Sequence, residues 1–336
     1  MSTTIDSLAD SQRRIEVPLR SALDRLDPHT RHCCGYHLGL WDPDGVPTGS
    51  MGKGIRPTLA LLSARAAGAG DEIGVPAALA CELIHNFSLL HDDVMDHDTE
   101  RRHRTTAWAQ FGIPAAILAG DALCSLASEL LAEAPSSTAI WALRCVGAST
   151  RRLIAGQAAD LDFETREDVS LVECLKMADD KTGALMACSA SLGAVLADAP
   201  AELALGLADF GTHLGMAFQL SDDILGIWGN PERTGKPVLS DLRSRKKSVP
   251  VVYALQSDTD AGTRLKSLYF RPGELSETEL SEAAELVETA GGREWTEQRA
   301  DRELQEALAA IEALTIPAPI AHEFIALAYQ LNHRDH

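Results

Sequence analysis

The chain alternates long segments rich in Ala and Leu with short stretches rich in Gly, Pro and Asp, and no apolar–polar alternation of period two persists along it. Apolar segments of helical length between short turn-forming stretches are typical of a helical bundle. Ser170-Leu171-Val172-Glu173 has the capping-box pattern of a helix N-terminus and predicts a helix through Lys181. We expect an all-α fold, with one large domain over residues 13–336 and a disordered N-terminus over residues 1–12.

One mostly apolar segment, Pro76 to Asp96, carries polar residues along a single side of its predicted helix. His85, Asp92 and Asp96 follow Glu82 at offsets of three, ten and fourteen residues, which trace one narrow stripe. Burying ionised carboxylates without partners is very costly. The stripe is therefore expected to line a cavity that holds cations.

A second apolar segment, Leu207 to Gly226, repeats this arrangement. Gln219 and Asp222 follow Thr212 at offsets of seven and ten residues, and Asp223 adjoins them. Two such helices that face each other would present carboxylates from both sides of one cavity.

The formal net charge of −19 argues against nucleic acid as a partner, because affinity for nucleic acid depends on basic residues that neutralise phosphates. Against this acidic background two basic clusters stand out, and each follows one of the Asp-rich segments: Arg101, Arg102, His103 and Arg104, then Arg243, Arg245, Lys246 and Lys247.

The expected location is the cytoplasm. The seven scattered cysteines form no CxxC pair, which predicts free thiols in a reducing compartment. The polar N-terminus lacks the basic start and apolar core of a signal peptide. No uninterrupted apolar stretch is long enough to predict a transmembrane segment.

The Asp-rich segments and their basic clusters suit one kind of chemistry. Asp92 and Asp96 are one helical turn apart and can share a hard cation. Mg²⁺ takes a few carboxylates and completes its shell with water and phosphate oxygens. Nearby Arg and Lys side chains then bind the remaining phosphate oxygens. The sequence therefore predicts a magnesium-dependent enzyme that acts on diphosphate-bearing substrates.

Several blocks occur in a characteristic order: Gly52-Lys53-Gly54-Ile55-Arg56-Pro57, Glu82 to Asp96 with Arg101-Arg102, Gly156-Gln157, Lys181-Thr182, Phe218 to Leu225, Thr234-Gly235-Lys236-Pro237 and Asp241-Leu242. Together they resemble the trans-isoprenyl diphosphate synthases, the polyprenyl synthetase family, and most of all its bacterial geranylgeranyl diphosphate synthases. The resemblance implies an isoprenoid-synthase helical bundle around a central Mg–diphosphate cavity, and a homodimer packed through central helices.

The resemblance also implies a role for each matching residue. Mg²⁺, usually three ions, would be bound by Asp92, Asp96 and Asp222, with Asp93 and Asp223 as nearby support. The allylic diphosphate would be held by Arg101, Lys181, Lys236 and Lys246. Isopentenyl diphosphate would be held by Lys53, Arg56, His85 and Arg102. Thr182 and Gln219 would face the reacting carbons, and Arg245 and Lys247 stay open as alternatives to Lys246.

The implied reaction joins isopentenyl diphosphate to an allylic diphosphate (dimethylallyl, geranyl or farnesyl). Ionisation of the allylic diphosphate creates pyrophosphate and a carbocation, and metal ions and fixed cations stabilise the departing charge where it develops. The alkene then attacks the cation, and an apolar bundle keeps out the water that would quench it.

Product length is expected to follow from the depth of the pocket along the first Asp-rich helix. Phe87 precedes Asp92 by five residues, roughly 7–8 Å along the axis. With small Ser88 beside it and no two-residue insertion in the motif, this pattern resembles geranylgeranyl (C20) more than farnesyl (C15) synthases. Ordinary core packing of Phe87 is the alternative interpretation.

Three departures from the family pattern leave room for a divergent activity, and one is Met51 with Gly54 in the first block. Gly226 stands where many members have a third Asp, and Thr105 stands where a Pro is usual. The competing hypotheses are a terpene synthase that cyclises a prenyl diphosphate, a farnesyl diphosphate synthase and a non-catalytic partner subunit. Against the cyclase, Gly226 and Asn230 occupy the Ser/Thr and Glu positions of its metal-binding box.

Overall fold

The structure is a computed structural model that describes residues 2–49, 51–229 and 238–332, with side chains from residue 7 onward. It is 76% helical, which confirms the predicted all-α class. The described strands are those of a two-stranded antiparallel hairpin, in which Glu100 pairs with Thr105 and Arg101 with Arg104.

The helices and strands follow one another in this order: α1 Ser2–Leu23, α2 Pro28–His37, α3 Ile55–Ala66, α4 Asp71–Met95, β1 Glu100–Arg101, β2 Arg104–Thr105, α5 Ala107–Phe111, α6 Ile113–Ala132, α7 Ala139–Thr165, α8 Leu171–Ala178, a π-helical turn Asp179–Gly183, α9 Ala184–Leu196, α10 Ala201–Trp228, α11 Ser240–Arg243, α12 Val249–Gln256, α13 Asp260–Tyr269, α14 Glu277–Thr289, α15 Gly292–Glu312 and α16 Ala318–Asn332.

The chain divides into two compact units. The first comprises Met1–Thr150, Leu185–Gly211 and Ala310–Leu327, and the second comprises Arg151–Ala184, Thr212–Ala309 and Ala328–His336. The first Asp-rich segment belongs to the first unit and Asp222-Asp223 to the second. The single domain over residues 13–336 stays a prediction.

Helix α4 is the central helix of the first unit and includes the predicted polar stripe. Asp71 and Glu72 lie in its first turn, where acidic side chains favour the helix dipole, and it ends at Met95. It packs against α3 and α6. The predicted helix over Pro76 to Asp96 is thereby confirmed.

Helix α10 includes the second predicted segment. In the second unit, buried Leu220 packs with Val249 and Val252 of α12, and Ile227 belongs to a neighbouring apolar cluster with α13 and α14. This packing fixes the end of α10 that carries Asp222.

The N-terminus differs from the expected disordered segment, because residues from Ser2 onward form α1. Ile15, Leu19 and Leu23 recur every four residues and are fully buried, so this helix has an apolar face to anchor it. Ser7 Oγ also donates to Glu323 Oε2 at 2.7 Å. The sequence signal for this helix was the stripe of three apolar residues in an otherwise polar segment.

Two helices, α4 and α6, are long and apolar enough to cross a bilayer by length and composition alone. Most of the apolar window of α4 is buried inside the protein, as for a core helix, but only 39% of the window of α6 is. Polar residues interrupt the apolar runs of both helices, so the sequence predicted no transmembrane segment.

Candidate active site

The first Asp-rich segment lies at the C-terminal end of α4. Asp96 is the C-cap residue, and its backbone N–H donates to the Asp92 carbonyl at 2.8 Å. The Asp92 side chain is half-buried and that of Asp96 is exposed. The two carboxylates are one turn apart, beside helix-terminal carbonyls whose partial negative charge also favours a cation.

Asp93 faces inward from the same turn and holds Arg101. The Arg101 Nε–H donates to Asp93 Oδ1 at 2.6 Å. Burial raises the pKa of the Asp93 carboxyl to about 6, although the Arg101 charge works against this shift. Its other oxygen, Oδ2, is buried without a hydrogen-bond partner among the described residues. Asp93 therefore positions Arg101 and keeps one oxygen available.

The β1–β2 hairpin directs the two neighbouring arginines to different places. Its turn residues, Arg102 and His103, have positive φ angles of 53° and 59°, a conformation that suits a tight two-residue hairpin turn. Arg101 turns back toward Asp93, whereas the Arg102 guanidinium lies against Gly52. A Cβ added to Gly52 would be 2.6 Å from Arg102 Nη1, so glycine permits this close approach.

Three of the predicted isopentenyl diphosphate residues, His85, Arg56 and Arg102, lie near one another in the first unit. Lys53 is exposed just before α3, and Arg56 lies in the first turn of that helix. Burial, and then the charges of Arg56 and Arg102, hold the pKa of His85 well below its usual range. His85 is thus a neutral imidazole among cations, which suits a site for a polyanion.

His37, the last residue of α2, belongs to the same basic cluster, and sequence reasoning missed it. Its Nε2 is buried without a hydrogen-bond partner among the described residues. Burial, followed by the charges of Arg102, Arg101 and Arg104, lowers its pKa to about 3. No pattern around His37 distinguishes it in the sequence.

In the second unit, Lys181 is paired with Asp160. Lys181 Nζ donates to Asp160 Oδ2 at 2.6 Å. Burial disfavours the Asp160 charge, but the charges of Lys181 and Lys246 outweigh it and lower its pKa. Asp160 was also missed; its position on α7, three residues after the Gly156-Gln157 block, was the available signal.

The backbone around Lys181 leaves the α-helical path. The capping box at Ser170 and Glu173 is confirmed, but α8 ends at Ala178 and a π-helical turn follows. Such single turns often occur at functional sites. A Cβ added to Gly156 would overlap the Lys181 backbone, so this glycine lets α7 pack directly against the turn.

Thr182, Gln219 and Asp223 form one hydrogen-bonded chain. Thr182 Oγ1 donates to Gln219 Oε1 at 2.6 Å, and Gln219 Nε2 donates to Asp223 Oδ1 at 2.8 Å. The Val249 N–H donates to Asp223 Oδ2 at 3.0 Å. Burial raises the pKa of Asp223 to about 6, against the effect of the Lys246 charge. These hydrogen bonds fix Thr182 and Gln219 beside the half-buried Asp222.

The three candidates in the second basic cluster have different surroundings. Arg245 donates to the Arg271 carbonyl at 2.6 Å, and Lys247 is buried against the rings of Tyr269 and Phe270. Lys246 instead acts electrostatically on Asp160 and Asp223. Lys246 therefore stays the candidate site residue, since Arg245 and Lys247 have these other contacts. Lys236 and Asn230 lie outside the described residues.

Phe87 and Ser88 lie on the buried side of α4. Phe87 is 8% exposed, and Ser88 Oγ donates to the His85 carbonyl at 2.8 Å, within the helix. The structure thus buries a large ring and a small side chain in the part of α4 that precedes Asp92, and their role in product length stays a prediction.

The donor set fits magnesium. On the first Asp-rich turn, Asp92 and Asp96 offer carboxylate oxygens, which Mg²⁺ prefers, and Asp93 Oδ2 is a buried oxygen with no described partner. Asp222 offers a carboxylate in the second unit. Among the described residues, no three His, Cys, Asp or Glu side chains form a cluster able to hold a metal. A site of few carboxylates suits an ion that keeps water and phosphate oxygens in its shell.

Comparison with known proteins decides the family. The polyprenyl synthetase profile matches residues 47–287. The chain belongs to the polyprenyl synthetase family. It is 48% identical to a (2E,6E)-farnesyl diphosphate synthase of Mycobacterium tuberculosis, over 98% of this chain and 92% of that one. The present chain is also 41% identical to a geranylgeranyl diphosphate synthase of Mycobacterium tuberculosis, over 90% of this chain and 87% of that one.

The fold agrees with the family. The structure of a polyprenyl synthetase from Streptomyces coelicolor matches the present structure with a TM-score of 0.93 and 46% sequence identity. The match covers 98% of this chain and 99% of that one. The predicted family is thereby confirmed, and with it the predicted trans-prenyltransferase activity.

Proposed function

We propose that this synthase condenses isopentenyl diphosphate with an allylic diphosphate and that its product is geranylgeranyl diphosphate. The observation that carries the proposal is the grouping of His85, Arg56 and Arg102 in one cluster, next to an Asp93–Arg101 pair on the first Asp-rich turn. This cationic cluster suits a second diphosphate in addition to the allylic one, which a cyclase acting on one substrate would not need.

Magnesium belongs to the proposal, since prenyl synthases of this family are Mg-dependent. Asp92, Asp96 and Asp222 would hold it, three ions per site by resemblance to the family. When bound, the metal supplies Lewis-acid stabilisation of charge on the leaving diphosphate.

The protein's own cations would act on the allylic substrate. Arg101, Lys181 and Lys246, with Lys236 beyond the described residues, bind its diphosphate and stabilise the charge that develops when the C1–O bond breaks. The bonding electrons leave with the diphosphate oxygen, and an allylic cation remains. The Thr182 and Gln219 dipoles, fixed by Asp223, face this cation.

The second diphosphate would be bound by Lys53, Arg56, His85 and Arg102, which orient the isopentenyl alkene. Its terminal carbon forms the new bond to C1 of the allylic cation, and the tertiary cation that results loses a proton from the neighbouring carbon. The released pyrophosphate takes up that proton. Each cycle therefore converts two diphosphates into one longer prenyl diphosphate and one pyrophosphate.

Product length is the finer part of the proposal. Buried Phe87, about 7–8 Å from Asp92 along α4, would close the pocket and support a C20 product. The farnesyl product is the second candidate, because the mycobacterial relative at 48% identity bears that name.

A cytoplasmic homodimer completes the proposal. Ile113, Ile117 and Leu118 of α6 are 43%, 40% and 59% exposed, and they recur at helical spacing. Such an apolar stripe, exposed on a helix of the first unit, suits a second copy of the chain.

One assay tests the function. The purified full chain is incubated with Mg²⁺ and dimethylallyl, geranyl or farnesyl diphosphate, with and without isopentenyl diphosphate, and products are analysed after phosphatase treatment. Elongation that requires isopentenyl diphosphate supports the proposal, and a C20 or C15 end point decides between the two products. A cyclic hydrocarbon formed without isopentenyl diphosphate supports the cyclase, and no turnover supports the partner subunit.

A further inference from the structure

His91 lies between the pocket floor and α6 and contacts both. Its ring meets the Phe87 ring edge to face, with centroids 4.9 Å apart and planes at 70°. On its other side, Nε2 lies 3.1 Å from the Ile117 carbonyl. A carbonyl only accepts, so Nε2 carries the hydrogen and donates it. The imidazole thereby links Phe87 of α4 to the backbone of α6.

A glycine provides the space for this ring. A Cβ added to Gly120 would overlap Nε2 and Cδ2 of His91. Any other residue at position 120 would force the imidazole to shift. The ring is thus held by a hydrogen bond at Ile117, by the surface of Gly120 and by the edge of Phe87.

We propose that His91 is a positioning residue for product length, which holds the Phe87 ring across the end of the pocket. This inference rests on the proposed function, because it needs Phe87 to limit the growing prenyl chain. Phe87 is free to leave the pocket only if a space opens beside it, and His91 fills that space. Removing the imidazole leaves a cavity next to Phe87 into which the ring can turn, and the pocket deepens.

The test compares products of five variants in the full chain: Phe87→Ala, His91→Ala, the double variant Phe87→Ala/His91→Ala, His91→Ala/Gly120→Leu and His32→Ala. His32 is the matched control, since its imidazole meets Phe111 edge to face at 5.4 Å in the same unit and is absent from the proposed site. Product lengths, kcat/KM for the first condensation and the thermal midpoint are measured for each.

The proposal predicts that Phe87→Ala and His91→Ala each lengthen the product, and that the double variant lengthens it no further than Phe87→Ala. Two residues that act through one ring are not additive. His91→Ala/Gly120→Leu should return the distribution toward the wild type, because the leucine refills the vacated space. His32→Ala should keep both the product distribution and kcat/KM for the first condensation.

Other results would distinguish failure of the proposed role of His91 from failure of Phe87 as the pocket floor. Longer products from Phe87→Ala with an unchanged distribution in folded His91→Ala would overturn the role of His91 and leave the proposed floor standing. Unchanged products in Phe87→Ala would overturn the floor itself. Lengthening by His91→Ala on top of Phe87→Ala would show that His91 does not act through Phe87.

Discussion

The carboxylate of Asp241 occupies the space beside Gly226 in which any other side chain would begin. The residue before Asp241 also contacts this position, since Ser240 Oγ donates to the Gly226 carbonyl at 3.3 Å. Asp241 is 8% exposed. A side chain at position 226 and the Asp241 carboxylate thus exclude each other, which gives a physical reason for the missing third Asp.

Gly226→Ala should therefore destabilise the protein, by about 1–3 kcal/mol, as is usual for overpacking a filled site. The urea unfolding free energy measures this. Gly147→Ala is the matched control on α7, because nothing lies within 4 Å of a Cβ there; it should be neutral or stabilising by up to about 1 kcal/mol. If Gly226→Ala/Asp241→Ala is no more stable than Gly226→Ala alone, the steric account is wrong.

The Lys181–Asp160 pair leads to a second prediction. Asp160→Asn removes the charge that holds Lys181, so the allylic diphosphate should bind in a less ordered site. We expect kcat/KM for the allylic substrate to fall roughly 10- to 100-fold, the range for loss of a group that orients a site residue, with a smaller change for isopentenyl diphosphate. Asp162→Asn is the control and should change neither, because Asp162 lies on the same helix but is 60% exposed beside Arg166.

Helix and site were predictable from sequence to different degrees. The periodicity of α4 and α10 gave the fold class and placed Asp92, His85 and Gln219 on single faces, because a helix converts spacing directly into position. The roles of Asp160 and His37 were not predicted, because they depend on neighbours in the folded structure. The π-helical turn at Lys181 and the choice of Lys246 over Lys247 likewise depend on packing that spacing does not encode.

His37 should make stability depend on pH. Its folded pKa of about 3 lies below the ordinary value of 6.5. As the pH falls, His37 therefore binds a proton at a higher pH in the unfolded chain than in the folded protein. The stabilising contribution is present above pH 6.5 and is lost as pH falls toward 3. By pH 5 we expect a loss of about 2 kcal/mol.

The measurement is urea unfolding of metal-free protein at pH 7.5 and pH 5, in the wild type and in His37→Gln. The variant should lose less stability than the wild type over this interval. His103→Gln serves as control, because the His103 side chain is 72% exposed at the hairpin turn and has no buried contact to lose. Equal losses in His37→Gln and the wild type would contradict the assignment.

Asp92→Asn tests the proposed metal site. It removes one carboxylate charge from the first Asp-rich turn, so turnover should fall at least about 100-fold, as for loss of a principal charge-stabilising group. The Mg²⁺ concentration for half-maximal rate should also rise. Asp24→Asn, whose side chain is 60% exposed beside Arg31, should leave that concentration unchanged. A mutant with normal Mg²⁺ dependence would remove Asp92 from the metal site.

The most direct test of the central claim is the stoichiometry of pyrophosphate release by the purified full chain supplied with geranyl diphosphate. A condensing synthase releases one pyrophosphate for each isopentenyl diphosphate consumed, none when isopentenyl diphosphate is omitted and none when EDTA removes the metal. Pyrophosphate released from geranyl diphosphate alone, or release that survives chelation, would contradict the account.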